Sequence, residues 1–337
     1  RRAYEEAGID AGTIALLGAN GTGTRAGDAA EVAGLNMAFG EAARDDHQWC
    51  ALGSVKSQIG HTKAAAGAAG LVKAVLALHH RVLPPTIKVD RPNPLMEIET
   101  SPFYLSTEAR PWVRGSDHPR RAGVSAFGFG GSNFHVAVEE APASLARIAK
   151  RRRTAPTEMV VLTADSPDAL AAACTTLADE LGTLPRTLRF VARADFDASY
   201  RVCEARAAVV ATDEADLITK LADAATMAKK GVAADSPKGI YVGFGATSGD
   251  VAFVFPGQGS QYVNMGAALA MAHDEAIAIW DHSVDVLAGA LADTERPLHD
   301  VVFPKPVFDD DARKVQEDAL RATEWAQPAI GAASASV

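Results

Sequence analysis

Four stretches of the 337-residue chain gather residues whose types and spacing could do chemistry. In GSVKSQIGHTKAAAGAAG, residues 53–70, His61 follows Gly60 and precedes an Ala/Gly-rich helical pattern. That places its imidazole near a helix N-terminus, where the dipole disfavours the protonated ring, so a neutral, hydrogen-bonding imidazole is expected. Lys56 lies five residues earlier on the incoming strand, within reach of the same pocket if the strand end turns inward. Seen alone, a histidine after a glycine is more often a satisfied structural residue, and a single lysine is more often solvated. A second stretch, NGTGTRAGDAAE, residues 20–31, carries Asn20, Thr22 and Thr24 on a glycine-rich turn. In a third, SAFGFGGSNFH, residues 125–135, Gly128, Gly130 and Gly131 mark a tight turn needing positive φ or close approach, which glycine supplies cheaply. The fourth, VAFVFPGQGSQYVNMG, residues 251–266, reads as a buried strand running into a glycine-rich turn. As an anonymous turn before a helix it could cradle a phosphate, but the Lys-[Ser/Thr] pair of a P-loop is missing.

Positioning such residues requires elements, and the patterning supplies them. Residues 1 to about 142 alternate helical and strand patterns with glycine turns, as a layered α/β domain does. RRAYEEAGID reads as a helix ending at Gly8, and Ala51 to Val55 as a short strand. Lys63 to Arg81 reads as an Ala-rich helix with Leu71, Val72, Val75, Leu76 and Leu78 as its apolar set, stopped by Pro84 and Pro85. RAGVSAFGFGGSNFHVAVEE reads as strand, turn, strand. Beyond a shift to small and basic residues at 143–153, MVVLTA, ARAAVVA and GIYVGFGA read as strands. Pro167 to Leu181 and Asp213 to Lys229 read as helices of the same small α/β module, which has few polar groups suited to chemistry. At Asp250 another α/β pattern opens, helical from Tyr262.

Composition narrows the function. Apolar residues make up 48% and charged residues 22%, the usage of a chain that folds. A net charge of −9 gives no attraction to nucleic acid, whose partners carry a basic face. The one basic cluster, Lys150 to Arg153 with Arg147, reads as a solvated linker. Cys50, Cys174 and Cys203 are odd in number and widely spaced, which supports neither a disulfide framework nor a zinc site and fits a reducing, cytoplasmic compartment. Apolar stretches are broken by Lys73 or Pro256 before the roughly 20 residues a bilayer span needs, so no membrane partner is expected. Both ends read as cut from a longer polypeptide, which leaves targeting undetermined.

The residue 53–70 stretch resembles the second-histidine motif of β-ketoacyl synthases, S-x-K-S-x-x-G-H before a small-residue helix, matched by Ser54, Lys56, Ser57, Gly60 and His61. Residues 20–31 are similar to the family's H-G-T-G-T-x-x-G-D-x-x-E, and residues 125–135 to its closing F-G-F-G-G-[ST]-N turn, which includes Asn133. The fourth stretch resembles the opening of malonyl/acyl-CoA:carrier-protein acyltransferases, and ATEWAQPAIGAAS the helix before their nucleophile elbow. The implied fold is the C-terminal half of a thiolase-like layered α/β fold over residues 1–142. A small α/β linker domain follows at 143–249, then the beginning of an α/β acyltransferase domain at 250–337. Residues 84–112 and 301–334 look closest to polyunsaturated fatty acid synthases among such megasynthases.

The resemblance implies decarboxylative Claisen condensation of malonyl-type units. A thiolate carries the acyl chain, and neutral donors hold the oxygen that becomes anionic when carbon dioxide leaves. It makes His61 one donor and Lys56 the residue ordering the charge network. The Phe129 N–H becomes an oxyanion donor and its ring an acyl-pocket gate, beside Gly130, Gly131 and Asn133. Thr22 and Thr24 match positions that bond the phosphopantetheine arm of an acyl carrier protein. No cofactor is bound directly, the substrates are malonyl-CoA or acyl-CoA, and the parent is a homodimer. The Gln258 N–H is the implied acyltransferase oxyanion donor, with Gln327 at its pocket. Asn20 stands where the first histidine should be. An amide donates a hydrogen bond but cannot take and return a proton at neutral pH, which leaves open a non-condensing scaffold or transacylating domain. By the same resemblance the cysteine nucleophile lies upstream of residue 1 and the acyltransferase serine and histidine beyond Val337, so the fragment itself is expected to be inactive. Cys50 reads as a small core residue.

Overall fold

The computed structural model describes residues 1–42, 44, 46–128, 130–142, 144–145, 156–198, 203–246, 249–291, 294 and 296–337, with backbone alone at 195–198. The expected basic linker at 147 and 150–153 lies outside the described residues. The chain divides into two compact units, residues 1–151 with 254–337, and residues 152–253.

In the first unit α1 (Arg2–Ala7) ends at Gly8, whose φ of 65° is the left-handed cap that glycine adopts cheaply. There follow β1 (Leu16–Gly18), α2 (Arg25–Phe39), β2 (Cys50–Gly53), α3 (Lys56–Ile59), α4 (Ala66–His80), β3 (Val82–Leu83), β4 (Phe103–Leu105), β5 (Arg110–Pro111), β6 (Arg121–Phe127) and β7 (Asn133–Glu139). A five-stranded sheet runs in the order β4-β2-β1-β6-β7, and β3 and β5 form a separate antiparallel pair. Strands β4, β2, β1 and β6 are parallel, with Gly18 level with Gly53 and Val124, and β7 returns antiparallel to β6. The carboxyl ends of β2, β1 and β6 therefore meet at one edge, the place where open α/β sheets bind ligands.

One core on this sheet joins Ile14, Leu17, Val32, Phe39, Cys50 and Phe103, with Cys50 as the buried residue the sequence suggests. The other lies under α4, and here the expected apolar set is corrected. Ala74, Ala77 and Leu78 are buried, while Val72, Val75 and Leu76 are exposed. The cause is close approach: a Cβ on Gly67 would sit 3.0 Å from Ala126, and one on Gly70 3.2 Å from Val124. The helix thus lies on β6 by its small residues and turns Val72, Val75 and Leu76 outward. It also ends at His80, because Arg81 takes the left-handed conformation (φ 51°), before either proline is reached.

In the second unit β8 (Glu158–Ala164), α5 (Pro167–Thr183), α6 (Leu188–Ala198), β9 (Ala205–Ala211), α7 (Glu214–Ala228), β10 (Ala234–Ser236) and β11 (Ile240–Phe244) succeed one another. The four strands are antiparallel in the order β10-β11-β9-β8. Ala205, Ala207, Val209 and Ala211 alternate inward along β9 onto Leu170, Cys174 and Leu181 of α5 and Leu217 and Leu221 of α7. Ser166 and Asp213 cap the two helices by accepting from the N–H of Ala169 and Asp216. Helix α6 and strand β10 have no counterpart in the sequence pattern described above.

Back in the first unit, α8 (Ala267–Ala272), α9 (Asp274–Leu287), α10 (Leu298–Val302), α11 (Asp310–Arg321) and α12 (Thr323–Ala335) close on Trp280 and Phe303. The strand expected at the start of VAFVFPGQGSQ is not formed, and Val251 and Val254 are 84% and 92% exposed. A strand exists by pairing, and among the described residues no strand pairs with this segment. Buried arginine carries the helices' attachment to the sheet. The Arg120 guanidinium, 1% exposed, meets both Asp281 carboxylate oxygens at 2.6 Å, Glu140 at 2.9 Å and the Trp112 carbonyl at 2.6 Å. Arg81 and Arg114 also pair with Glu140. Burial pushes the Glu140 carboxyl up, but the three guanidiniums outweigh it and hold it below the usual carboxylate range.

Candidate functional site

The chain leaving β1 makes the first wall of the site. Gly21 has a φ of 35°, and a Cβ there would lie 2.8 Å from the Ser54 Cβ, so only glycine lets the turn pass beneath the end of β2. Glu31, nearly two turns into α2, fixes this turn: its carboxylate accepts from the N–H of Asn20 at 2.7 Å and of Gly21 at 2.8 Å. Asp28, three residues earlier on the same helix face, accepts from the Gly23 N–H at 3.2 Å. Burial raises the Glu31 pKa, opposed by the N–H groups of Gly21 and Asn20 and by Lys56.

The chain leaving β2 supplies the second wall. Ser54 Oγ donates to the Gly21 carbonyl at 2.9 Å and accepts from the Lys56 N–H at 3.3 Å. Lys56 begins the helical turn α3 and so is not on the strand the sequence suggests; two residues of loop swing it back across the strand ends. Its Nζ donates to the Asn20 carbonyl and to Asn20 Oδ1 at 3.3 Å. Burial lowers the Lys56 pKa, and Glu31 counters part of that. The third wall is β6, whose last N–H, that of Phe127, donates to Asn20 Oδ1 at 3.2 Å. Both partners of Oδ1 are donors, which fixes the amide orientation and leaves the NH₂ group as what the Asn20 side chain can donate.

The remaining sequence-predicted residues lie around this knot or apart from it. Thr22 and Thr24 are exposed with hydroxyls 3.4 Å apart on the same turn. His61 is exposed and stands two residues before the 3₁₀ turn Lys63–Ala65, which runs directly into α4. Its Nδ1 accepts from the Lys63 N–H at 3.0 Å, so Nε2 carries the hydrogen and is the donor this ring can offer. Phe129 lies outside the described residues. Gly130 and Gly131 have φ of 92° and 89°, as a tight β6–β7 turn requires, whereas Gly128 shows no positive φ and closes the turn by donating to the Ser132 carbonyl. Asn133 opens β7, exposed, opposite Phe127. Gln258 and Gln327 are exposed and apart from these residues; the Gln258 side chain donates to Thr323 Oγ1 at 3.2 Å.

Glu31 and Asp28 are the members that sequence reasoning did not single out. Their signal was the D-x-x-E spacing at the start of α2. It puts both carboxylates over the preceding turn, where unpaired N–H groups gather. His135 closes the third glycine-rich stretch but works inside the fold, bonded to Tyr4 at 2.7 Å and Ser125 at 2.9 Å. Burial lowers its pKa to about 4.

With this geometry in view, comparison with known proteins is specific. The model of the β-ketoacyl synthase C-terminal domain matches residues 1–90, and that of the ketoacyl-synthetase C-terminal extension matches residues 92–198. Through these consecutive matches the chain belongs to the β-ketoacyl synthase family. It is 35% identical over 333 residues to a phenolphthiocerol/phthiocerol polyketide synthase polypeptide of Mycobacterium tuberculosis, covering 96% of this chain and 22% of the relative. It is 34% identical over 363 residues to a polyunsaturated fatty acid synthase polypeptide of a Thraustochytrium species, covering 97% of this chain and 12% of that protein. The chain thus spans a minor part of the curated relatives it matches. A solved ketosynthase from module 6 of the bacillaene synthase of Bacillus subtilis 168 aligns at 35% identity with a TM-score of 0.40, over 67% of this chain and 38% of the other. No helix among the described residues is long and apolar enough to cross a membrane.

Proposed function

We propose that the chain contributes the carbonyl-facing wall of a condensing domain in a multifunctional polyketide or polyunsaturated fatty acid synthase. The reaction is decarboxylative Claisen condensation of malonyl-type extenders, with the growing chain held by an acyl carrier protein through its phosphopantetheine. The observation that carries this reading is the convergence of Asn20, Lys56 and the Phe127 N–H at the carboxyl ends of three adjacent parallel strands, with Glu31 anchoring the Asn20 turn. The Asn20 amide hydrogens and the His61 Nε2–H are donors of the kind a developing oxyanion requires. Lys56 holds positive charge behind them, and Thr22 and Thr24 lie where an extended polar arm would pass. In this reading Phe129, Gly130, Gly131 and Asn133 line the acyl side of the pocket. Residues 143–249 form the ketosynthase–acyltransferase linker and residues 250–337 open an acyltransferase domain, with the Gln258 N–H as oxyanion donor and Gln327 at its pocket. The protein works in the cytoplasm as a homodimer, with malonyl-CoA or acyl-CoA as the donor.

One observation favours a second reading, a domain that binds carrier protein and passes acyl groups without extending them. The Asn20 oxygen is already occupied by two donors, so the residue in the first histidine's place has no proton acceptor to offer. In the full-length synthase, Asn20→His should raise single-turnover formation of β-ketoacyl carrier protein by about 10²-fold or more. Carrier-protein affinity should stay near its original value, because Thr22 and Thr24 are untouched. Equal rates in the two variants would remove Asn20 from the catalytic position.

A further inference from the structure

Strand β7 (Asn133–Glu139) is an outer strand of the five-stranded sheet, and among the described residues no strand pairs with its free side. Its register with β6 determines which groups that side presents. The Glu140 N–H donates to the Arg120 carbonyl and the Gly128 N–H to the Ser132 carbonyl, so the hydrogen-bonded pairs of this antiparallel ladder fall on even-numbered residues. Phe134, Val136 and Val138 therefore turn their main-chain groups to β6, while the N–H and C=O of Asn133, His135, Ala137 and Glu139 face outward. Such an edge is a template for another strand, and folded chains usually blunt it with lysine, proline or a bulge. β7 has none of these. Its pairing with β6 is unbroken over seven residues, its one charged residue is Glu139 at the end, and Phe134 and Val136 are 69% and 44% exposed. The other edge strands differ: β4 is three residues long and buried, β10 is three residues long and carries Asp235, and β8 has α6 against it.

We propose that β7 is a homotypic docking edge, on which a second copy of this chain pairs β7 to β7, antiparallel, about a two-fold axis at Val136. A strand that pairs with itself must match in hydrogen-bond phase and in side-chain chemistry, and this one matches in both. Centred on Val136, His135 stands opposite the second copy's Ala137, and Asn133 opposite its Glu139, so every outward N–H and C=O meets a partner. Each of these pairs exchanges two hydrogen bonds, about eight across the interface. Val138 joins the core beneath α4, so Phe134 and Val136 lie on that same face of the sheet. There Phe134 stands opposite the second copy's Val138 and Val136 opposite its own counterpart, apolar pairs of the kind that stabilise sheets. Charge is complementary at the ends: the Glu139 carboxylate, 3.1 Å from Arg121, faces the second copy's Asn133 amide instead of another carboxylate. Sliding the strands by two residues in either direction shortens the overlap and loses these end pairs. The contact is isologous, so it uses up the edge of both copies and closes as a dimer with one continuous ten-stranded sheet. The inference goes beyond the site reading and rests on strand register alone.

The measurement is sedimentation velocity of the full chain across a concentration series at low salt, in which the parent should pass from monomer to dimer. Val136 is 44% exposed, so a charged side chain there leaves the core intact. Val136→Lys and Val136→Asp each set like charges opposite one another on the axis and should weaken self-association about tenfold. An equimolar mixture of the two variants should associate at least as strongly as the parent, because opposite charges then meet. A parent that stays monomeric, variants that dimerise as the parent does, or a mixture no stronger than its components overturns the proposal. Hydrogen exchange of the parent provides an arm that needs no variant. As concentration rises, exchange should slow at the amides of Asn133, His135, Ala137 and Glu139 and change little at Phe134, Val136 and Val138, which are already bonded to β6. Exchange at the outward amides that ignores concentration refutes the idea. Loss of the condensing reading would leave these outcomes unchanged, and their failure would leave that reading intact.

Discussion

Two glycine-rich segments of this chain meet opposite fates. The turn after β1 is pinned by Glu31, Ser54, Lys56 and the Phe127 N–H, each arriving from a different element. The P-G-Q-G-S-Q turn at 256–261 is exposed over nearly all its length and keeps one side-chain tie to α12. Both are rich in glycine and both follow apolar residues. What separates them is the sheet: β1 lies between β2 and β6, so its exit is surrounded by other strand ends, whereas residues 250–256 pair with no strand among those described. A glycine turn becomes a site when neighbouring strands deliver partners to it.

The sharpest way to break this contrast is at Arg120. The helices that follow the exposed turn are fastened to the sheet's unit by a guanidinium with no exposed side-chain surface, shared between Asp281 and Glu140. Removing one partner of such a pair leaves buried charge behind, so Arg120→Ala should cost about 3–5 kcal/mol in urea unfolding. It should also open α8–α12 to protease, while residues 250–261 are cut at the parent rate. Unchanged protection of α9 would mean that the helices hold without the clamp. The depressed Glu140 carboxyl sets the pH dependence: its contribution is complete above the ordinary glutamate value of about 4.3 and is lost as the pH falls through the lower folded value.

A second test strengthens the pinned side. His135, bonded to Tyr4 and Ser125, ties β6 and β7 to α1. Its pKa of about 4 in the folded chain lies below the unfolded value of about 6.5. Between these values the unfolded chain takes up a proton that the folded one refuses. Stability from this residue is therefore full above about pH 6.5 and declines by about 3 kcal/mol as the pH falls to about 4. His135→Gln should flatten that slope in chemical denaturation followed across the same range. A parent curve already flat there would show that the ring is solvated.

The third test is local. Glu31→Ala removes the acceptor of two backbone N–H groups and the counter-charge of Lys56, and should destabilise the first unit by about 2 kcal/mol. It should also speed hydrogen exchange at Asn20 and Gly21. Retained protection at both amides would mean that the turn is held by Ser54 and Lys56 alone.

Much of this arrangement is legible in the sequence, and the exceptions have physical causes. The β6–β7 hairpin follows from alternation around a glycine turn, and α5 and α7 from amphipathic periodicity with Ser166 and Asp213 at their caps. The inner face of α4 is misread because hydrophobicity ranks valine and leucine above alanine, while a helix lying this close to a sheet must present its smallest residues. Lys56 is assigned to the strand because the break after Gly53 carries no proline or further glycine. Glu31 escapes notice because its partners are backbone N–H groups, which no residue type betrays, so that the D-x-x-E spacing at the start of α2 is its one mark in the sequence. The 250–256 segment has every local strand signal, but pairing is a property of its neighbours.

The smallest expected effect tests the other side of the contrast. Gln258 and Thr323 are joined at the surface, and their 3.2 Å hydrogen bond competes with water at either end. Exchanging it for two solvent bonds should change stability by less than about 0.5 kcal/mol, so Gln258→Ala should unfold at the parent urea midpoint. The role proposed for position 258 belongs to its backbone N–H, which alanine keeps, so the substitution also separates side chain from main chain. In the full-length synthase it should leave malonyl transfer within about threefold of the parent, well short of the roughly 10²–10³ lost when an oxyanion donor is removed. A stability cost above about 1 kcal/mol would show that the turn is pinned through this side chain, and the contrast with the Asn20 turn would fail. A large loss of transfer with unchanged stability would keep the contrast and assign the Gln258 amide itself to the reacting acyl group.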